Sequence, residues 1–137
     1  MYKNILVPIA FDEDSDTRIG AATSVARRLA AEGARITFLH VLEQVPGYVA
    51  SYLPADYAAQ ARTAVEDELN DMAATVPGGV GLVVSGHSGR TILDWASDND
   101  TDLIVIASHR PGMQDLLLGS TAAKVVRHAQ CAVHVLR

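Results

Sequence analysis

An internal disulfide is closed to this chain, because its single cysteine, Cys131, has no partner within it. The apolar neighbours of Cys131 predict a buried small hydrophobe in a reducing cytosol. Basic charge is scarce as well: 11 Lys and Arg stand against 16 Asp and Glu, for a net charge of -5. Clustered Lys and Arg are what neutralise a phosphate backbone, so the composition argues against a nucleic-acid partner. No apolar run approaches the ~20 residues of a membrane helix. The opening MYKNILVPIA also lacks the basic stretch, apolar core and cleavage site of a leader. The expectation is a cytoplasmic protein without membrane contact. With 5 prolines, no low-complexity stretch and 49% hydrophobic residues, the 137-residue chain reads as one ordered domain without linker or repeat.

Two periodicities alternate along the chain. Short Val-, Ile- and Leu-rich runs at 4–9 (NILVPI), 35–42 (RITFLHVL), 80–85 (VGLVVS), 103–107 (LIVIA) and 132–136 (AVHVL) predict five strands. Between them the apolar spacing is helical: Ile19, Ala22, Ala26 and Leu29; Ala58, Ala61, Val65, Leu69, Met72 and Val76; Ile92 and Ala96; Ala122, Val126 and Ala129. Strands apolar on both faces and joined by helical crossovers predict a doubly wound α/β fold, a five-stranded parallel sheet flanked by four helices. Ligands in such folds sit beyond the carboxyl ends of the strands. The loops to inspect are therefore 10–16, 43–54, 86–90 and 108–118.

The strongest candidate is the last of these, ASHRPG at 107–112, followed by Gly119, Ser120 and Thr121 at the start of a helix. A helix N-terminus presents unpaired N–H groups and a positive dipole end to an anion. On a functional reading Ser108, Arg110, Gly119, Ser120 and Thr121 surround phosphates; on a bland one Ser120 caps its own helix and Pro111-Gly112 is a plain turn. Neither a P-loop nor a dinucleotide fingerprint is present, since GSTAAK lacks the first spacing and no G-x-G-x-x-G follows the first strand.

SGHSGR at 85–90 begins like a nucleophile elbow, but Arg90 stands where the last glycine of G-x-S-x-G belongs. The favoured reading is Ser88 as an N-cap, with a Ser88 esterase as the remote alternative. The acids Asp12, Glu13, Asp14 and Asp16 complement the dipole of the first helix, and beside a polyphosphate they would call for a bridging Mg²⁺. The five histidines show no zinc spacing, and no metal is assigned to them. Tyr48, Tyr52 and Tyr57 read as anchors of the second loop, with purine stacking as the alternative.

Taken together, KNILVPIA, FLHVL, SGHSGRTILDWA, DLIVIASHRP and LLLGSTAAKVVRHAQCAVHVLR resemble a universal stress protein of the UspA superfamily along residues 1–137. The ending is the most specific part, and IASHRP, LLLGS and VVRHAQC are closer to the small F and G types than to the archetypal A type. The resemblance implies an adenine nucleotide alpha hydrolase-like domain with strand order 3-2-1-4-5. It also implies a homodimer joined through the C-terminal strand, and ATP binding with Mg²⁺. The family's G-x-x-G-x9-G-[ST] signature falls on Ala107, Arg110 and Gly119-Ser120, of which only the final pair is kept, and 111–118 is shorter than the signature asks. Ala10 stands where an acidic residue commonly contacts the nucleoside, Val41 where main-chain groups meet the base. No strong general base adjoins these residues and no catalytic residue is assigned; at most slow ATP hydrolysis or self-phosphorylation is expected. The rival reading is a stress protein that binds no nucleotide and acts through dimer or other protein contacts.

Overall fold

A computed structural model describes residues 1–12, 15–108 and 118–137. The elements run β1 (Tyr2–Pro8), α1 (Ser15–Leu29), β2 (Ala30–Leu42), α2 (Gly47–Ala50), α3 (Tyr57–Ala74), β3 (Gly79–Ser85), α4 (Ser88–Asp98), β4 (Leu103–Ala107), α5 (Ser120–His128) and β5 (Ala132–Leu136). All strand pairs are parallel and the order is β3-β2-β1-β4-β5. The doubly wound sheet expected from the sequence is therefore the sheet observed.

Side-chain alternation explains why the central strands read as continuous apolar runs. Ile5 and Val7 of β1, Ile36 and Phe38 of β2 and Leu103 and Val105 of β4 pack on one face with Ala22 and Ala26 of α1 and Leu69 and Ala73 of α3. Leu6, Leu39, Ile104 and Ile106 pack on the other with Ile92 and Ala96 of α4 and Ala122 and Val125 of α5. Each face is covered, so both parities of a strand must be apolar. Full burial of a side chain such as Phe38 or Leu69 contributes about 1.5–3 kcal/mol.

Three details differ from the sequence expectation. Among the described residues there are five helices rather than four, the extra one being the single turn α2 inside the long second loop. The inward stripe of α5 uses Ala122 and Val125, while Val126 is exposed; a step of three residues, not four, reaches the sheet. In addition, β2 begins at Ala30, ahead of the expected start at Arg35.

The outer strand β3 is held close to α3 by glycine. A Cβ on Gly81 would lie 2.8 Å from the Leu69 carbonyl carbon, and one on Gly79 2.2 Å from the Ala73 oxygen. In the middle of the sheet, the Asp102 carboxylate accepts from the main-chain N–H groups of Lys3 at 2.8 Å and Asn4 at 3.0 Å. Its own N–H donates to the Asn4 carbonyl at 2.9 Å, so one residue clasps β1 to the approach of β4. Asp102→Ala orphans two donors and is expected to lower unfolding stability by about 1–3 kcal/mol, measured by urea denaturation. Gly81→Ala should destabilise by a similar amount, about 1–3 kcal/mol, through overpacking against α3.

Candidate functional site

The strand order reverses at β1. From β1 the chain winds outward through β2 to β3, then returns to the other side of β1 for β4 and β5. The crevice of such a sheet lies between the loops that leave β1 and β4. Pro8 helps to open it. Pairing between β1 and β2 continues to Pro8↔Leu39, but pairing between β1 and β4 stops at Leu6↔Ile104. Ile9 donates its N–H to Leu39, so the nitrogen of Pro8, one residue earlier, faces β4. Proline has no hydrogen there to donate, and the ladder ends.

On the β4 side, Ser108 is 2% exposed and fixes the crevice wall through its main chain. Its N–H donates to the Leu136 carbonyl at 2.7 Å, and its carbonyl accepts from the Gly119 N–H at 2.5 Å. The second bond places the start of α5 directly at the end of β4. Gly119 is the N-cap residue, with φ −61° and ψ 157°, and among the described residues no side chain caps the helix. Its carbonyl accepts the first helical bond, from Ala123. The N–H groups of Ser120, Thr121 and Ala122 therefore occupy the first turn ahead of that bond, where an intrahelical partner does not exist. The capping role that the bland reading gives Ser120 is not observed; Ser120 is the first helical residue. Ala107 pairs with Leu136 at the end of β4, next to this turn. Arg110 and the rest of 109–117 lie outside the described residues.

On the β1 side, Ile9 is buried and Ala10 is exposed. Phe11 packs its ring against His40 with centroids 5.1 Å apart at 55°. The Asp12 carboxylate is engaged by the Arg18 guanidinium. That ion pair changes the expected electrostatics, since a carboxylate in the loop after β1 is already paired with Arg18 of the helix that follows. Asp16 lies in the first turn of α1, where its charge complements the dipole. Glu13 and Asp14 lie outside the described residues. Val41 is near the end of β2, paired with Val84 of β3. The ends of β1, β2 and β4 thus bring Ala10, Val41, Ala107, Ser108, Gly119, Ser120 and Thr121 to one edge of the sheet.

Other candidates resolve differently. His87, not Ser88, is the N-cap of α4, and Ser88 Oγ donates to Glu43 Oε1 at 2.9 Å. The tight turn before it depends on Gly86, with φ +150° and a site where a Cβ would lie 2.3 Å from Thr91 Oγ1. A serine whose hydroxyl is given to an exposed carboxylate lacks the imidazole base of a hydrolase. Tyr48, Tyr52 and Tyr57 are 76%, 88% and 45% exposed, so they do not anchor the second loop. A groove of about 740 Å³ lies between α1 and α3, lined by residues such as Gly20, Arg27 and Met72, on a helical face away from the strand ends. Among the described residues no group of three or more His, Cys, Asp or Glu is placed to hold a metal ion, and no helix is long and apolar enough to cross a membrane.

Two features escape the sequence patterns. The role of Pro8 at the crevice depends on which side of β1 its nitrogen faces, which only the register shows. His40, read as one unassigned histidine among five, has Nδ1 2.6 Å from the Ile9 carbonyl. That contact spans 31 positions and leaves no local sequence signal.

A doubly wound α/β domain with an uncapped helix start at its winding reversal defines the class, and comparison defines the family. The model of the universal stress protein family matches residues 1–137, and the chain belongs to that family. Universal stress protein A homolog 2 of Coxiella burnetii is 32% identical over 143 residues, covering 99% of this chain and 95% of that protein. Universal stress protein G of Salmonella typhimurium is 32% identical over 151 residues, covering 100% of both. Among solved structures, UspA from Lactobacillus plantarum superposes with a TM-score of 0.73 at 30% identity, covering 99% of this chain and 98% of that one. An Archaeoglobus fulgidus family member in complex with dAMP shares the fold at a TM-score of 0.66 and 19% identity, covering 99% and 98%. An Arabidopsis thaliana member with AMP bound does so at 0.62 and 17%, covering 98% and 90%.

Cys131 is half-buried, and burial pushes its thiol pKa up, aided by the Asp102 charge and opposed by a main-chain hydrogen bond. A raised pKa means less thiolate at a given pH. Cys131 is expected to react with iodoacetamide at pH 8 more slowly than an unperturbed peptide thiol, and faster as the pH rises; equal rates at pH 8 would contradict the burial argument.

Proposed function

We propose that this chain is an adenine-nucleotide-binding or nucleotide-sensing module of a bacterial stress response, acting in the cytoplasm and not as a rapid catalyst. The observation that carries the reading is the first turn of α5, uncapped by any side chain among the described residues and hydrogen-bonded through Gly119 to the end of β4 at the winding reversal. Three N–H donors and the positive end of a nine-residue helix suit a phosphate. Gly119, Ser120 and Thr121 hold the phosphates in this reading, with Arg110 supplying charge. Ser108, being buried, acts by holding Gly119. Ala107 borders the phosphates, Val41 offers main-chain groups to the base, and Ala10 borders the nucleoside. Family members that bind dAMP or AMP support the ligand class.

The substitutions at Ala10 and Arg110 change the terms of binding. An alanine at 10 removes a carboxylate acceptor for the nucleoside, and Asp12 does not replace it cleanly because Arg18 engages it. Affinity then rests more heavily on main-chain donors and on the base. The donor set fits phosphate oxygens; it does not present a carboxylate cluster for Mg²⁺ among the described residues.

A second reading keeps the fold and moves the function to protein contacts. It is favoured by β5, which forms an edge of the sheet and offers its outer main chain to a second copy. A homodimer through β5 is compatible with either reading.

Calorimetric titration of nucleotide-stripped protein with ATP and with AMP, each with and without Mg²⁺, separates them. The nucleotide reading expects micromolar binding, weakened about tenfold or more in Gly119→Val, where a side chain enters the phosphate approach. No heat at millimolar ligand would leave the protein-contact reading in its place. ATP turnover should stay below about one per second, because no general base is placed beside the site among the described residues.

A further inference from the structure

Parallel strands exchange hydrogen bonds in a fixed alternation: a residue facing its neighbour donates its N–H to one carbonyl there and accepts at its own carbonyl from the N–H two residues further on. Ile9 begins such a pair, with its N–H donating to the Leu39 carbonyl at 2.8 Å. The next rung would carry the Val41 N–H to the Ile9 carbonyl. The ladder instead stops at Pro8↔Leu39, and His40 Nδ1 lies 2.6 Å from that carbonyl. A carbonyl only accepts, so Nδ1 must carry the proton. Ile9 is 6% exposed, so this donor also satisfies a carbonyl that little water can reach. Phe11, from the loop that follows, packs on the same ring.

We infer that His40 is a positioning residue: its ring takes the Ile9 carbonyl out of the ladder and thereby keeps the main-chain edge of Val41 open to a ligand. The N–H and C=O of one strand residue face the same side, here the β1 side, beyond the point where β1 leaves the sheet. Among the described residues, no main-chain bond joins Val41 to residues 9–12. A donor and an acceptor side by side match a ligand edge with an acceptor next to an amino group, as in the amidine edge of adenine. The ligand half of this inference rests on the nucleotide reading; the diversion of the ladder does not.

The ring has no local substitute within the ladder. Without a donor on residue 40, the buried Ile9 carbonyl is best satisfied by the Val41 N–H, which extends β1 by one rung and closes the edge. Asparagine can keep the device, since its side-chain N–H₂ stands close to where Nδ1 stood. Glutamine carries its amide one carbon further out, and leucine has none.

Hydrogen exchange followed by NMR on the full chain, with AMP titration of the same samples, tests this. In the wild type the Val41 amide should exchange faster than that of Leu39, and the ring ¹⁵N signals should show the proton on Nδ1. His40→Leu and His40→Gln should each slow Val41 exchange about tenfold or more and weaken AMP binding about tenfold. His40→Asn should retain the wild-type values. A Val41 amide already as slow as Leu39, exchange unchanged in both disabling variants, or a proton on Nε2 would overturn the inference. So would AMP affinity unmoved by either disabling variant. If the wild type binds no AMP, the nucleotide reading and the ligand half fall together, while slowed Val41 exchange in the variants would still uphold the diversion.

Discussion

The pairing of β1 with a neighbour on each side is the constraint on which the rest of the molecule depends. Leu6 and Val7 are wholly buried, one toward each helical layer, so β1 links the two cores as well as the two halves of the sheet. The two ladders do not end together. Pro8 ends the one toward β4, and the ring of His40 ends the one toward β2 a residue later. A strand released from both neighbours within two residues must leave the plane of the sheet. Its departure makes the crevice between the ends of β2, β1 and β4.

Much of this fold was legible in the sequence, for a physical reason. A parallel sheet covered on both faces forces near-continuous apolar runs, and LIVIA at Leu103–Ala107, buried over its first four residues, is a short β-branched run of that kind. What the runs could not tell was where side chains point at the ends of elements. Val125 and Val126 are equally apolar in α5, and only the angle of the helix to the sheet selects Val125. Ser88 has the chemistry of a cap, yet Glu43, from the end of a different strand, takes its hydroxyl. Tyr48, Tyr52 and Tyr57 have the bulk of anchors, but the turn of α2 carries the loop without burying them.

The candidate site was legible in part, and the division follows the kind of group involved. Gly119-Ser120 at a strand-to-helix passage announces uncapped main-chain donors, because glycine followed by a hydroxyl suits that geometry whatever the rest of the chain does. Contacts between distant residues leave no such mark. The Ser108–Gly119 bond sets α5 against β4, and the His40–Ile9 bond sets the loop after β1 against β2. Both are made with main-chain carbonyls, which every residue carries. Neither partner can be read from residue identity, and both follow only from register.

In the nucleotide reading, an acidic chain that is to hold an anion faces a conflict that main-chain donors would resolve. Net charge of -5 repels phosphate at long range, though salt confines that repulsion to roughly 8 Å at physiological ionic strength. Within that distance the local arrangement decides. Arg18 engages the carboxylate of Asp12 beside the crevice, and the first turn of α5 supplies fixed partial positive charge that no titration removes. A site built this way owes little to surface lysines, so the composition of the whole chain says little about it.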